Sequence, residues 1–230
     1  MTTIISALQA VKQRIESTAL RAGRVPQDIR LLAVSKTFPA EAVREAFRAG
    51  QNAFGESYVQ EAVGKIAALS DLPLEWHFIG PLQSNKTRLV AEHFSWVHSV
   101  DREKTADRLS FARPAQLPPL QVCLEVNVSG EASKGGVAPQ ELEALAAHVR
   151  TLPRLQLRGL MAIPAATENA ALQRQQFRAV RELLDQLNRK NFQLDTLSMG
   201  MSNDLEAAIA EGATIVRIGT AIFGARNMRR

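Results

Sequence analysis

The sequence contains one cysteine and one tyrosine in 230 residues, and aromatic residues make up only 5% of it. A single cysteine excludes an internal disulfide, and the position of Cys123 in the apolar run 120–124 predicts a buried structural thiol. No apolar run approaches the roughly 20 residues of a membrane-spanning helix, and residues 1–10 lack the basic start of a secretory signal. These absences predict a soluble, cytoplasmic protein.

The chain carries a net charge of +5 and a pI near 9.8. Excess positive charge can serve nucleic-acid binding, but the arginines are spread along amphipathic segments and no basic tract is interleaved with aromatic residues. We therefore expect solvated helix faces, with neither a nucleic acid nor a membrane as partner. The charge is better suited to attracting an anionic small molecule.

Short apolar segments alternate with longer segments of helical periodicity along the whole chain. Predicted strands lie at 31–34, 53–54, 75–79, 96–100, 120–126, 155–160, 194–197 and 214–218, and predicted helices follow them at 39–49, 57–69, 84–93, 101–110, 139–150, 168–190, 202–211 and 220–225. Eight such units in one chain predict an α/β fold, a single (β/α)8 TIM-type barrel spanning residues 1–230. A doubly wound open sheet is the alternative.

Lysine is scarce in this chain, since only seven of the 28 basic residues are lysines. Lys36 stands almost directly after the predicted strand 31–34. A lysine at the C-terminal end of a buried strand is a candidate for forming an imine with a carbonyl compound. The alternative is an amine that extends into solvent. Solvent exposure is expected for the lysines in or beside predicted helices, which are Lys12, Lys65, Lys86, Lys104 and Lys190.

Two loops have the composition of a phosphate site. Barrels of this type usually bind phosphate at the loops after strands 7 and 8, which here are residues 198–204, containing Ser202, and the pair Gly219-Thr220. Glycine lets backbone N–H groups approach phosphate oxygens, and a helix start adds partial positive charge. Either motif alone also occurs at ordinary turns. Their joint position predicts phosphate binding, and with an imine-forming lysine it suggests pyridoxal phosphate (PLP).

Other polar residues lie near the same end of the predicted barrel. Arg217, on the last strand, should face a polar ligand or a carboxylate such as Asp204 or Glu206, with a structural salt bridge as the alternative. Lys134 lies in a glycine-rich loop after strand 5, which would serve as a lid or as a plain surface loop.

His77 and His98 fall near the ends of predicted strands 3 and 4. No further histidine or acidic residue stands at metal-site spacing from them. We therefore expect satisfied core histidines and no metal.

Several segments together resemble the pyridoxal phosphate homeostasis protein family, single-domain relatives of the alanine racemase N-terminal barrel. They lie at 33–37 (AVSKT), 54–61 (FGESYVQE), 76–86 (WHFIGPLQSNK), 158–161 (RGLM), 197–202 (LSMGMS) and 216–224 (VRIGTAIFG). The resemblance implies a fold-type III PLP-binding barrel without the C-terminal β domain. It implies that Lys36 carries PLP as an aldimine, that Arg217 faces the pyridine nitrogen, and that the phosphate is held by Ser202, Gly219 and Thr220.

Three residues depart from the family pattern. Ser57 replaces the usual asparagine near the phenolic oxygen of the cofactor, Phe38 replaces a lysine, and Gly135 replaces a serine after Lys134. The first departure puts that polar contact in question.

The resemblance also implies a non-catalytic role in PLP homeostasis. The expected functions are storage of PLP, its delivery to apo PLP-dependent enzymes, and amino-acid and keto-acid balance, performed by a monomer. Separately from the resemblance, the position of Lys134 in a glycine-flanked loop on the same face makes it a candidate secondary or transfer site for PLP. The alternative is a fold-type III PLP enzyme such as a racemase or decarboxylase. Those enzymes complete their site with a second domain, which this sequence is not expected to have.

Overall fold

The computed structural model describes residues 3–131 and 134–225, in which eight strands alternate with helices. The strands are β1 (Arg30–Val34), β2 (Ala53–Glu56), β3 (Glu75–Phe78), β4 (Trp96–Val100), β5 (Leu120–Glu125), β6 (Leu155–Met161), β7 (Thr196–Ser198) and β8 (Ile215–Ile218). The helices are α1 (Ile4–Arg21), α2 (Ala40–Arg48), α3 (Val59–Ala68), α4 (Thr87–His93), α5 (Glu103–Ala112), α6 (Leu142–Arg150), α7 (Ala170–Arg189), α8 (Leu205–Ala210) and α9 (Thr220–Phe223), with a 3-10 turn at Pro26–Asp28.

All eight strands are parallel and form a closed barrel in chain order. Closure occurs between β1 and β8, so that Ala33 lies opposite Phe54 of β2 on one side and Ile218 of β8 on the other. The predicted (β/α)8 barrel is confirmed. Because parallel strands end at the same rim, the loops that follow them converge on one mouth of the barrel.

Helix α1 covers a side of the barrel that the last helix is too short to cover. It buries Leu8, Val11 and Ile15 and packs against α2, α8 and α9, the last of which is a single turn. The buried stripe of α1 does not include the apolar residues Ile5 and Leu20, which are 41% and 63% exposed.

The interior of the barrel is divided between apolar and polar groups. Two small apolar clusters, Leu32 with Ala53 and Ile215, and Trp96 with Cys123 and Met161, are separate from the main core between barrel and helices. Burial raises the pKa of the Cys123 thiol to about 12, as fits the structural thiol that was predicted. Polar residues also point inward, namely His77, His98, Ser198 and Arg217, all of them buried.

Strand β7 begins two residues later than the sequence predicts. Leu194 is apolar and buried, which makes it resemble a strand residue. Its backbone is paired elsewhere, because the Asn188 side chain accepts from its N–H at 2.6 Å and donates to its C=O at 2.8 Å. These bonds replace strand pairing and hold Leu194 outside the sheet.

None of the helices within 3–131 and 134–225 combines the length and the apolar composition needed to cross a bilayer. The longest, α7, has 20 residues, but arginines and acidic residues run along it.

Candidate functional site

Lys36 lies at the barrel mouth, two residues past β1, and is half-buried. Since β1 pairs with β2 and β8, the residues that end those strands flank Lys36. Ser57 follows β2 on one side, and Gly219 follows β8 on the other. A Cβ atom at Gly219 would lie 3.2 Å from the carbonyl oxygen of Val34, so the lack of a side chain brings this loop against β1. The structure therefore brings together the predicted imine lysine and one predicted phosphate loop.

The turn that carries Lys36 is fixed by backbone contacts on both sides. The N–H of Ser35 donates to the carbonyl of Gly55 at 3.0 Å. Thr37 has a φ of 69°, which is unfavourable for a β-branched residue, and its N–H donates to the Glu61 carboxylate at 2.7 Å. This hydrogen bond offsets the strain and connects the backbone next to Lys36 to α3.

A second lysine, Lys65, is buried directly beneath this turn. Its amine donates to the Ser35 carbonyl at 2.9 Å, to Glu56 at 2.5 Å and to Glu61 at 3.0 Å. The expected solvent exposure of Lys65 is wrong, because its side chain is only 4% exposed. A helical lysine one turn after an acidic residue is typical of a surface ion pair. Here that face of α3 lies against the ends of β1 and β2.

Glu56 is the fully buried partner in this cluster. Its Oε1 accepts from the hydroxyl of Ser35 at 2.7 Å as well as from Lys65, whereas its Oε2 has no hydrogen-bond partner among the described residues. Burial raises the pKa of Glu56, and the opposing attraction of Lys65 does not cancel that effect. The ends of β1 and β2, next to Lys36 and Ser57, are therefore held by the buried ion pair of Glu56 and Lys65.

The loop after β7 is folded around a carboxylate. Gly200 has a φ of 94°, and the N–H of Met201 donates to Asp204 at 2.6 Å. Ser202, between them, is half-buried, and its carbonyl accepts from Arg14 at 2.9 Å. The structure places Ser202 in the predicted loop with its backbone fixed by α1.

The loop after β8 leads at once into α9. The N–H groups of Ile222 and Phe223 both donate to the Gly219 carbonyl at 2.9 Å, while Thr220 is exposed at the start of the helix. Of this turn, the N–H groups that precede Ile222, those of Thr220 and Ala221, are the ones that a helix start offers to an anion. The ring of Phe38 packs on Phe223 with centroids 5.2 Å apart, so this departure from the family pattern joins the Lys36 turn to α9.

Arg217 reaches into the barrel from β8 and is buried. One terminal nitrogen donates to the carbonyl of Ser198 at 2.5 Å and to its hydroxyl at 2.8 Å, and the other donates to the Ala162 carbonyl at 3.0 Å. Burial lowers the pKa of Arg217 to about 10, which leaves it charged at neutral pH.

The carboxylates expected to pair with Arg217 do not do so by hydrogen bonding. Glu206 pairs instead with Arg14 at 2.6 Å, because the face of α8 that carries Glu206 lies against α1. Asp204 acts on Arg217 through space and opposes the effect of burial on its pKa. The prediction is wrong for Glu206 and holds for Asp204 only as a longer-range attraction.

Glu125 is a mouth residue that the sequence analysis missed. It ends β5, and burial together with the nearby charge of Asp101 raises its pKa to about 7, against the attraction of Arg217. A Cβ atom at Gly135 would lie 3.4 Å from its carboxylate, so the following loop covers it. The signal was present, because Glu125, like Lys36, is a charged residue at the end of an apolar run.

Lys134 lies in the loop after β5, across the barrel from β1. The side-chain amide of Asn127 donates to the carbonyls of Glu131 and Lys134, at 2.9 and 3.3 Å, and so shapes this loop. The Lys134 amine lies 3.1 Å from the Glu131 carboxylate. Lys134 is therefore at the mouth, with an anionic neighbour, but in a different sector from Lys36.

The groups on the β7, β8, β1 and β2 side of the mouth suit a phosphorylated aldehyde. A primary amine, two hydroxyls beside loop backbone and a buried guanidinium supply an imine-forming group, phosphate donors and a fixed cation. The residues present fit PLP. Within the described ranges no three His, Cys, Asp or Glu side chains are grouped to hold a metal ion.

The chain matches the family model "Alanine racemase, N-terminal domain" over residues 7–227. It is 65% identical over 227 residues to the pyridoxal phosphate homeostasis protein of Pseudomonas aeruginosa, covering 99% of this chain and 97% of that one. The protein of the same name from Escherichia coli K12 is 55% identical, covering 99% and 98%.

Solved structures show the same fold. PipY of Synechococcus elongatus, described with PLP bound, is 42% identical with a TM-score of 0.80, covering 91% of this chain and 99% of that one. An alanine racemase of Clostridium difficile has a TM-score of 0.77 at 12% identity, covering 96% of this chain and 57% of that one, and shows the fold alone.

Replacing Lys65 should test the buried ion pair beneath Lys36. We expect Lys65→Met to lower the free energy of unfolding by about 3–5 kcal/mol, because Glu56 would remain buried without its cation. The control is Lys190→Met, which breaks a Lys–Glu contact of the same 2.5 Å length whose side chains are 56% and 53% exposed, and which should cost less than about 1 kcal/mol. Urea unfolding measures both. Equal losses would show that burial of the Glu56 pair has no energetic consequence.

Proposed function

This chain belongs to the pyridoxal phosphate homeostasis protein family, and we propose that it binds PLP at the barrel mouth and stores and delivers this cofactor. The observation that carries the proposal is the position of Lys36 between Ser57 and the loop Gly219-Thr220, with Arg217 buried on β8 two residues before that loop. When bound, PLP supplies an aldehyde that bonds reversibly to amines and a ring that withdraws electrons.

In this proposal each residue has a separate task. Lys36 supplies the amine that bonds covalently to the cofactor, and the fixed turn at Thr37 limits where that amine can reach. Ser202, Gly219 and Thr220 bind the phosphate through hydroxyl and backbone donors. The loop backbone before Thr220 is already positioned against β1, so little ordering would be needed on binding.

Arg217 would lie next to the ring nitrogen and keep it unprotonated. A fixed cation disfavours a second positive charge beside it, and without a protonated nitrogen the ring withdraws electrons less strongly. Ser57 would contact the phenolic oxygen with a hydroxyl in place of an amide. The weaker electron withdrawal suits unreactive holding of the cofactor.

Delivery requires that the cofactor be transferred to an acceptor, and we propose that the acceptors are apo PLP-dependent enzymes in the cytoplasm. Lys134, in the loop across the mouth, would accept PLP transiently or bind a second molecule. We propose that the protein acts as a monomer and without catalytic turnover of its own.

The second candidate function is a fold-type III enzyme such as a racemase. Glu125 is the observation that favours it, because a carboxyl group with a pKa of about 7 at the mouth could transfer a proton. Against this, the following loop covers Glu125 at Gly135. A tyrosine could also serve as the acid/base group, but the one tyrosine of the chain, Tyr58, is 51% exposed to solvent.

Borohydride reduction should identify the lysine that binds PLP. We expect reduction to fix the cofactor on Lys36, found by peptide mass mapping, and Lys36→Ala to lose the visible absorption band of the bound cofactor. Lys134→Ala is the control, and it should keep that band but transfer PLP more slowly to an apo-enzyme. Labelling of Lys134 or Lys86 in the wild type would refute the assignment, and equal transfer rates would leave Lys134 as a surface residue.

The phosphate loops should govern the preference for the phosphorylated cofactor. Each hydroxyl of Ser202 and Thr220 is expected to contribute roughly 1.5–3 kcal/mol, or about tenfold to a hundredfold in affinity. The double alanine variant should therefore bind pyridoxal about as well as PLP in equilibrium titrations. Ser6→Ala, on the exposed start of α1, is the control. A double variant that still prefers the phosphorylated form would show that the phosphate binds elsewhere.

Racemisation of amino acids should be negligible in the PLP-loaded protein. Inversion needs an acid/base group on each face of the substrate carbon, and Lys36 provides only one. The test is deuterium incorporation from solvent at Cα of L- and D-alanine, together with chiral analysis. Inversion at about 1 s⁻¹ or faster would favour the racemase. Loss of that activity in Glu125→Gln would then identify the second group.

A further inference from the structure

A line of hydrogen-bonded side chains runs through the barrel from its N-terminal rim to Arg217. Glu75, the first residue of β3, contacts His77 at 2.6 Å, and His77 contacts His98 of β4 at 2.9 Å. His98 contacts the hydroxyl of Ser198 at 2.7 Å, and that hydroxyl contacts Arg217 at 2.8 Å. The three middle residues are fully or almost fully buried, so water does not compete for these contacts.

The end of the line at Glu75 can only accept hydrogen bonds. Burial raises the pKa of Glu75, but the hydrogen bond from His77 and the ion pair with Arg30 at 2.7 Å together lower it to about 2. Its carboxylate therefore requires a proton on Nε2 of His77. The other end, Arg217, can only donate.

With both histidines neutral, these two ends fix the proton positions of every group between them. Burial lowers the pKa of both histidines. At His77 it outweighs the hydrogen bond and the charge of Glu75, which raise the pKa, and at His98 the charges of His77, Arg217 and Arg30 lower the pKa further. A neutral His77 with its proton on Nε2 has a bare Nδ1, so His98 must donate to it from Nε2. The Nδ1 of His98 is then bare as well, and the Ser198 hydroxyl must donate to it and accept from Arg217.

Every donor in the line thus points away from the mouth, from Arg217 towards Glu75. The aligned dipoles place their negative ends towards the guanidinium and stabilise its charge, although no carboxylate of residues 3–131 or 134–225 hydrogen-bonds to it. Proton movement is not required for this effect, since Arg217 keeps its charge.

We propose that Glu75, His77, His98 and Ser198 form a directed relay that positions Arg217, so that a carboxylate at the rim opposite the mouth influences cofactor binding. These are positioning residues, because none of them needs to touch the cofactor. The proposal rests on the proposed function, in which Arg217 lies beside the ring nitrogen of PLP.

The first test uses the protein without cofactor, so its result does not depend on PLP binding. Long-range ¹H–¹⁵N spectra of the ¹⁵N-labelled protein near pH 7.5 report which ring nitrogen carries each proton, and His93→Gln and His148→Gln assign the remaining two rings. Both His77 and His98 should be neutral with the proton on Nε2. A proton on Nδ1 of either ring, or a charged ring, would overturn the relay.

Glu75→Gln should disturb this order, because an amide can donate as well as accept. We expect a second set of ring signals at His98. The matched control is Asp195→Asn, which breaks an exposed ion pair with Arg158 at the same rim and has no side-chain hydrogen bond towards Arg217 in the described residues. It should leave the histidine spectrum unchanged. Unchanged His98 signals in Glu75→Gln would contradict the relay.

The second test measures PLP affinity and the absorption maximum of the bound cofactor. Glu75→Gln and Ser198→Ala should each weaken binding by about tenfold and shift the absorption maximum, and Asp195→Asn should do neither. The double variant should bind about as weakly as either single variant, since both changes interrupt one line. Independent losses that multiply in the double variant would overturn the proposal. A wild type that binds no PLP would refute the proposed function, while the spectra without cofactor still decide the relay.

Discussion

A guanidinium buried inside a closed barrel is the constraint on which the rest of the site depends. Arg217 occupies a level of the barrel that apolar side chains usually fill, and its charge has to be stabilised without water. Backbone carbonyls of Ser198 and Ala162 accept two of its bonds, and the Ser198 hydroxyl accepts another. This requirement explains why the barrel interior contains histidines and a serine between two small apolar clusters.

A second buried charge supports the mouth from outside the strands. Lys65 joins the carbonyl beside Lys36 to Glu56 and Glu61, and Glu61 also receives the N–H of Thr37. Removing Lys65 or Glu56 would leave the other of these two residues buried without its ion-pair partner. The stability of the fold and the geometry of the turn therefore depend on the same cluster. The structure thus has two buried cations, Arg217 inside the barrel and Lys65 beneath the Lys36 turn, and Asp204 and Glu125 act on Arg217 through space.

The convergence of several candidate site residues on one mouth of the barrel could be predicted, because it follows from their position within and after the strands. Lys36 and Arg217 interrupt or end apolar runs, and the barrel rule assigns phosphate to the loops that contain Ser202 and Gly219. Residues whose environment depends on packing were missed. Lys65 has the spacing of an ordinary surface pair, and nothing in the helical pattern of α3 indicates that this face is covered.

The sequence by itself determined the eight strand–helix units, the placement of Lys36 at a strand end and the family to which the chain belongs, because these depend on local periodicity and motif. Only the tertiary structure decided which charges are buried and which polar groups meet. Glu75 and Arg217 are far apart in the chain and at different levels of the barrel, and closure of the sheet joins them through His77, His98 and Ser198. Hydrogen-bond direction depends on such three-dimensional neighbours, which no spacing rule in the sequence encodes.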